Sequence, residues 1–493
     1  MSIERSSGIL LPVFSLPGKY GIGTLGKEAY RFVDFLAESA QSYWQMLPIG
    51  PTSFGDSPYA SFSSFAGNPY FIDLEMLIEE GLLEKKDVRH LKVADPADID
   101  YSYIYETRFR VLHKAYERGM QRDTGGFEWF KAENADWLED YSLFMAIKKH
   151  FDMRSWIQWP DKAIRLRKPE AMERYREMLR EDVEFYSYLQ YLFALQYAAL
   201  KDYAHEKGIK IIGDLPIYVA LDSADCWADP DQFQLTRVNV PKEVAGVPPD
   251  YFSEDGQLWG NPLYDWKRMK KDGYSWWIRR INGSGRFFDV LRIDHFRGLQ
   301  QYWAVPYGDS NARRGRWLDG PGLPFVRTIL KNCPEVEFIA EDLGIISEDV
   351  DKLLADSGLP GMKVIAFGME AYVPNRNTPH NYIRNCVCYF GTHDNSPIQG
   401  WKDTTVKKDL DYTRAYFGIE DDKDFNYKII AGAMASVSNL VIFQMQDYLN
   451  LGEEARINCP GTLGNWKWRM LKKQYNHRLA KRIAEMTKIY GRK

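Results

Sequence analysis

Val290-Leu-Arg-Ile-Asp-His295 is a short apolar run carrying one arginine and closed by an acid. A nearly continuous apolar segment of this length fits a strand buried on both faces of a parallel sheet. Similar runs recur at residues 43–47, 209–215, 338–341, 362–367, 386–394 and 440–445. Helical periodicity lies between some of them. After Gly26, residues Ala29, Phe32, Val33 and Leu36 repeat at i, i+3, i+4, i+7. Strand and helix alternating over this length predict an α/β fold, and about eight such units close a barrel.

Two regions break the alternation. Residues 101–207 are helical and charge-rich, above all over 162–186, where a solvated helix face is the better reading than a binding surface. Residues 220–286 are rich in Pro, Gly, Asp and Trp and poor in periodicity. Long ordered loops on a rigid scaffold usually carry function. The expected organisation is one catalytic unit over 1–493, with a mainly helical insertion at about 70–207. A loop-rich insertion at about 220–286 would cover the cleft. Residues 95–100, 124–126, 282–286 and 374–381 are expected as surface loops.

Composition bounds the function. The chain has 493 residues, 45% hydrophobic and 27% charged, which excludes wholesale disorder. A net charge of −4 provides no basic field for nucleic acid or anionic lipid. The 15 Trp, 31 Tyr and 26 Phe are mostly core, yet rings with a polar edge also suit sugar faces. Five Cys make no disulfide framework, so reduced thiols and a cytoplasmic location are expected. No apolar signal segment follows Met1, and residues 429–445 are too short and too polar to span a bilayer. Gly21-Ile-Gly-Thr-Leu-Gly26 matches a dinucleotide fingerprint but has a turn before it and no acid at the right distance after it. It reads as a tight turn feeding a helix. The eight His are scattered, so neither a metal nor a cofactor is expected.

The chemistry lies in acids at strand ends. Asp294 closes the first run, Glu341 closes Glu337-Phe-Ile-Ala-Glu341, and Asp394 closes Cys386-Val-Cys-Tyr-Phe-Gly-Thr-His-Asp394. In a β/α barrel the C-terminal strand ends build the active site, so the three acids converge on one mouth. That set suits glycoside chemistry: one carboxylate attacks the anomeric carbon, one carboxylic acid protonates the leaving oxygen, and a third group supports oxocarbenium character. Arg292 lies two before Asp294, hence on the same strand face, where it keeps Asp294 ionised. Glu341 requires the opposite, and nearby Asp294 and Asp394 raise its proton affinity. Asp342 is expected as a helix N-cap after its strand.

These segments resemble the amylomaltase, or 4-α-glucanotransferase, family of the α-amylase clan. The match runs from about Arg5 to Met470. It rests on Gly55-Asp-Ser-Pro-Tyr-Ala-Ser-Phe-Ser-Ser-Phe-Ala-Gly-Asn-Pro69, Gly213-Asp-Leu-Pro-Ile-Tyr-Val219, Trp259-Gly-Asn-Pro-Leu-Tyr264, Arg292-Ile-Asp-His-Phe-Arg-Gly298, Ala340-Glu-Asp-Leu-Gly344, Gly391-Thr-His-Asp-Asn395 and Pro460-Gly-Thr-Leu-Gly-Asn-Trp466. The resemblance implies a (β/α)8 TIM barrel with inserted subdomains and no metal. It makes Asp294 the nucleophile, Glu341 the general acid/base and Asp394 the transition-state stabiliser. It implies that Tyr59, Asp214, Arg292, His295 and His393 grip the sugar at the cleavage point. Residues 246–252 resemble the family's loop over the cleft, with Tyr251 and Phe252 in it, and Trp259 and Asn465 resemble nearby subsite residues. Two positions depart from the family pattern. Pro12-Val-Phe14 stands where a His is usual, and Ser396-Pro397 replaces an acidic or Thr pair.

The implied reaction is retaining transglycosylation of α-1,4-glucans: maltooligosaccharides and amylose as donors, another glucan or glucose as acceptor. The three acids serve an α-amylase-type hydrolase equally well, and acceptor preference comes from aromatic subsites and a water-limiting loop. A glucan-binding protein without catalysis would not require all three. A monomer or weak homo-oligomer is expected, with no nucleic-acid or membrane partner.

Overall fold

The computed structural model describes residues 3–493 except 54, 123, 250–252 and 345. Twelve strands form among the described residues. They are β1 (Ser6–Leu10), β2 (Tyr43–Gln45), β3 (Lys210–Leu215), β4 (Glu243–Val247), β5 (Gln257–Pro262) and β6 (Val290–Ile293), followed by β7 (Gln301–Pro306), β8 (Arg316–Asp319), β9 (Glu337–Ala340), β10 (Gly361–Val364), β11 (Cys386–Tyr389) and β12 (Leu440–Gln444). Eight of them, β1, β2, β3, β6, β9, β10, β11 and β12, pair in parallel and in chain order to close a barrel. The seam joins β1 to β12 in register from Ser6↔Leu440 to Leu10↔Gln444. Strands β4, β5, β7 and β8 make a separate antiparallel sheet.

Each of the seven apolar runs overlaps a barrel strand, with β9 and β10 beginning one residue before their runs, as expected of segments buried on both faces. The ladder stops earlier than the apolar pattern does. β11 ends at Tyr389, and the residues after it turn out of the sheet, where Asn395 Oδ1 accepts the Thr392 N–H at 2.9 Å and its hydroxyl at 3.0 Å. The eighth strand, β1, escapes the pattern because Ser6, Ser7 and Gly8 open it without an apolar side chain. Gly26 is the N-cap of the helix Lys27–Glu38, which buries Ala29, Phe32, Val33 and Leu36, so the glycine-rich stretch is the expected turn.

Between β2 and β3 the chain runs through the helices Tyr101–Gly119, Gly125–Glu133, Ala135–His150, Pro169–Met178 and Arg180–Glu206. Two expected loops are helical. Gly125 already begins a helix, and Asn282 to Gly285 form the last turn of Ser275–Gly285. At Gly283 a Cβ would come within 2.8 Å of the Phe65 ring, so the small residues that look like loop punctuation instead permit close packing. The stretch 220–286 likewise contains β4 and β5, whose sheet is completed by β7 and β8. Trp303 and Trp317 pack edge to face across that sheet at 5.2 Å.

The two ends of the chain meet beneath the barrel. Arg492 is fully buried and donates to the carbonyls of Met434, Ser436, Ser438, Asn439 and Ser6 at 2.7–3.2 Å. Arg5 donates to Met434 and Ser436 at 3.0 and 2.9 Å. All five cysteines are free. Among the described residues no helix is long and apolar enough to cross a membrane.

Candidate active site

Strand register brings the first two groups together. Asp214 on β3 and Arg292 on β6 are direct ladder partners. Arg292 donates to Asp214 Oδ2 through Nη2 at 2.6 Å and Nε at 3.0 Å. The same Nη2 reaches Asp294 Oδ1 at 3.0 Å, the i+2 neighbour on that face. The Asp214 side chain is fully buried and Arg292 is nearly so, whereas Asp294 keeps 30% of its side chain open. Tyr59 donates a third hydrogen bond to Asp214 Oδ2 at 2.6 Å, leaving Oδ1 buried and unpartnered.

Tyr59 also fixes a tautomer. Its hydroxyl is 2.8 Å from His393 Nε2 and its proton is committed to Asp214, so Nε2 carries the hydrogen. Burial lowers the pKa of His393, which keeps the ring neutral. Its Nε2 is also 3.3 Å from Asp394 Oδ1. The Tyr59 and His393 rings stack at 5.3 Å, and Trp466 packs against both at 5.9 and 6.1 Å.

Glu341 follows β9 directly and is gripped by backbone. Its Oε2 accepts the N–H of His295 at 2.6 Å and its Oε1 that of Leu343 at 3.0 Å. His295 adopts a left-handed conformation (φ 53°), unusual for a residue other than glycine, just after Asp294. Burial first, and then the charge of Asp294, raise the proton affinity of Glu341 well above the ordinary carboxylate range. Burial raises Asp294 as well, against the opposing charge of Arg292. Asp294 alone of the two is hydrogen-bonded to that guanidinium, so the proton held by the pair resides on Glu341. Burial pushes His295 down to about 3, so it is neutral, and its ring meets Trp259 edge to face at 4.9 Å. Trp259 lies on β5 and is 37% exposed.

The structure therefore joins Tyr59, Asp214, Arg292, Asp294, His393 and Asp394 in one contact network, with Glu341, His295 and Trp259 linked through the turn after β6. Asn465 stands apart: its amide bonds Cys459 and Thr462 within its own loop. Tyr251 and Phe252 lie outside the described residues. Asp342 is not a helix cap, since Ser347 holds the N-cap of Glu348–Ser357. It is fully buried and instead accepts the Met362 N–H at 2.6 Å and Arg376 at 3.0 Å, tying β9 to β10. That partner lies 20 residues away on the next strand, out of reach of local pattern.

Sequence reasoning misses Trp466, Asn458 and Arg456. Trp466 ends a quoted motif, and its packing on Tyr59 is a tertiary fact. Asn458 donates to Asp394 Oδ1 at 2.6 Å, but a lone Asn in a loop reads only as a turn residue.

A parallel eight-stranded barrel bringing two interacting carboxyls, a third acid and a buried arginine to its C-terminal mouth defines a glycoside-processing α/β-barrel enzyme. The chain belongs to the glycoside hydrolase 77 family of 4-alpha-glucanotransferases, whose family model matches residues 11–474. It is an enzyme of that type. It is 48% identical to a 4-alpha-glucanotransferase of Clostridium butyricum, over 97% of this chain and 99% of the relative. Among solved structures it is similar to the amylomaltase from Streptococcus agalactiae in complex with acarbose. The TM-score is 0.97 at 42% identity, covering 99% of this chain and all of that one. The amylomaltase from Corynebacterium glutamicum, at 21% identity and TM-score 0.79 over 98% of this chain and 75% of its own, shares the fold.

Proposed function

We propose that this 4-alpha-glucanotransferase disproportionates maltooligosaccharides and amylose by retaining double displacement on Asp294, Glu341 and Asp394. Asp294 attacks C1 of an α-1,4-glucan, the glycosidic C1–O bond breaks, and Glu341 gives its proton to the departing 4-oxygen. Glu341, now ionised, takes the proton from an acceptor's 4-hydroxyl as that oxygen displaces Asp294 from C1. The observation that carries this reading is the split of roles between two adjacent carboxyls. Asp294 is held by Arg292, while Glu341 is raised by burial and by Asp294 itself.

Tyr59, Asp214, Arg292, His295 and His393 hold the sugar at the cleavage point, with Trp259 and Asn465 at neighbouring subsites. The buried, unpartnered Oδ1 of Asp214 supports this, since a substrate hydroxyl would satisfy it. The acarbose complex of the Streptococcus agalactiae relative supports an oligosaccharide in the equivalent cleft. Transfer rather than hydrolysis is supported by the transferase identity of the relatives. The helical region at about 70–207 and the region at about 220–286 are insertions in a single catalytic unit, the second covering the cleft. Five free thiols support a cytoplasmic enzyme, and the near-neutral net charge of −4 supports work without nucleic-acid or membrane partners, as a monomer or weak homo-oligomer.

Maltotriose and purified protein test the reading, with products separated by chromatography. Glucose and longer maltooligosaccharides with almost no new reducing ends are expected. Glucose and maltose with rising reducing ends would make the protein a hydrolase on the same acids.

A further inference from the structure

We propose that residues 453–458, which follow β12, form a clamp that sets the position of Asp394: Asn458 positions its carboxylate and Arg456 holds its backbone. The barrel ladder cannot do this. β11 ends at Tyr389, and Asp394 lies beyond it with 42% of its side chain open to the cleft. Three hydrogen bonds from the one segment replace the ladder. Asn458 Nδ2 donates to Asp394 Oδ1 at 2.6 Å, Arg456 Nη2 donates to the Asp394 carbonyl at 2.8 Å, and the Asn458 N–H donates to the His393 carbonyl at 3.2 Å.

The clamp is braced as a unit. Arg456 Nε donates to the Asn458 carbonyl at 2.8 Å, and its Nη1 reaches Ser396 Oγ at 3.2 Å and Glu453 Oε1 at 2.7 Å. The Ser396 hydroxyl supplies a neutral acceptor there. Across the clamp lies the helix Ile398–Thr404, in which a Cβ on Gly400 would come within 2.6 Å of Glu453 Oε2. No bulkier residue fits that position without displacing Glu453.

Asn458 is chemically suited to the task. Its amide is a strong donor without charge, so it fixes the carboxylate while leaving its negative charge undiminished for the developing oxocarbenium ion. The other ionisable groups facing the Asp394 carboxylate are His393 at 3.3 Å, with Tyr59 and Asp294 at longer range across the mouth. Asn458 acts through Asp394 and is a positioning residue.

The inference rests on the role of Asp394 proposed above, so Asp394→Asn is measured beside it. Full-length Asn458→Ala and Asn458→Asp are assayed on maltotriose across pH, with thermal melts of each. Asn458→Ala should lose about 10- to 100-fold in kcat at little-changed KM. Asn458→Asp is isosteric: while the new carboxyl is protonated it donates to Asp394 as the amide does, and once ionised it repels it. Its activity should approach that of the native enzyme on the acid side and fall at a lower pH on the alkaline side, a displacement that mere structural support would not produce. An unshifted profile for Asn458→Asp, or kcat for Asn458→Ala within roughly twofold of native, overturns the clamp. Should Asn458→Ala fail to fold, the isosteric variant decides alone. An active Asp394→Asn removes the role of Asp394 and the clamp with it, whereas an inactive one beside native-like Asn458 variants removes the clamp only.

Discussion

One carboxylate oxygen, Asp214 Oδ2, takes two hydrogen bonds from Arg292 and one from Tyr59, while its twin is buried with none. The arrangement is lopsided in a way that folding alone does not favour, because a buried acceptor without a donor costs about 1–3 kcal/mol. In the proposed function a sugar hydroxyl satisfies that oxygen. Arg292 hydrogen-bonds Asp294 and not Glu341, which leaves the proton of the pair on Glu341, and in the mechanism proposed above this is what frees Asp294 to attack. Asp294→Asn and Glu341→Gln should each lower maltotriose turnover at least roughly 100-fold, and near-native turnover in either would refute the role given to that acid. At this scale much was legible. Arg292 and Asp294 share a face by strand periodicity, and the trio of acids follows from where apolar runs end. What was not legible depends on partners distant in sequence. Asn458 reaches Asp394 across 64 residues, and the buried Asp342 looks like a cap until Met362 is found to be its partner.

Elements decide how rigidly those residues are held. Seven of the eight barrel strands announce themselves as apolar runs, because a strand covered on both faces has no polar side to show. β1 does not, and neither do β4 and β5, since Gly260 and Pro262 in β5 mimic loop chemistry. The helix Ile398–Thr404 shows a different economy: it borrows an acceptor from the next βα unit. Asp447 Oδ1 takes the N–H of Ile398 at 2.8 Å, while its Oδ2 is buried and unpartnered. Burial pushes Asp447 up to about 7. The native state therefore holds this proton where the unfolded chain, with an ordinary Asp pKa of about 3.9, has released it. Stability from this group is greatest below about pH 4 and is lost as pH rises through about 7. Thermal melts should show Asp447→Asn gaining on the native protein progressively between those limits and no further above them. A constant difference between the two at every pH would show that Asp447 does not titrate in this range.

At the scale of the whole molecule, the barrel is closed by its extremities. Arg5 and Arg492 share the carbonyls of Met434 and Ser436 at the C-terminal end of the helix Phe425–Ala435, just before β12 begins. Removing Arg492 takes away its hydrogen bonds to five buried carbonyls, of which Met434 and Ser436 keep Arg5, at about 1.5–3 kcal/mol for each bond to the charged group that is not replaced. Arg492→Ala should melt well below the native protein yet retain native kcat at low temperature, because the residue lies at the opposite end of the barrel from the acids. A native melting temperature would mean that the chain ends carry little of the closure. The seam has one more consequence, in time rather than in space. Ser6 pairs with Leu440, so β1 leaves the ribosome more than four hundred residues ahead of the strand that completes its ladder. At a synthesis rate of about 5–20 residues per second, β1 waits roughly 20–90 seconds with an open edge. Until β12 emerges, the nascent chain is a growing, unclosed sheet, and an encounter with another such edge in that interval is a route to misassembly.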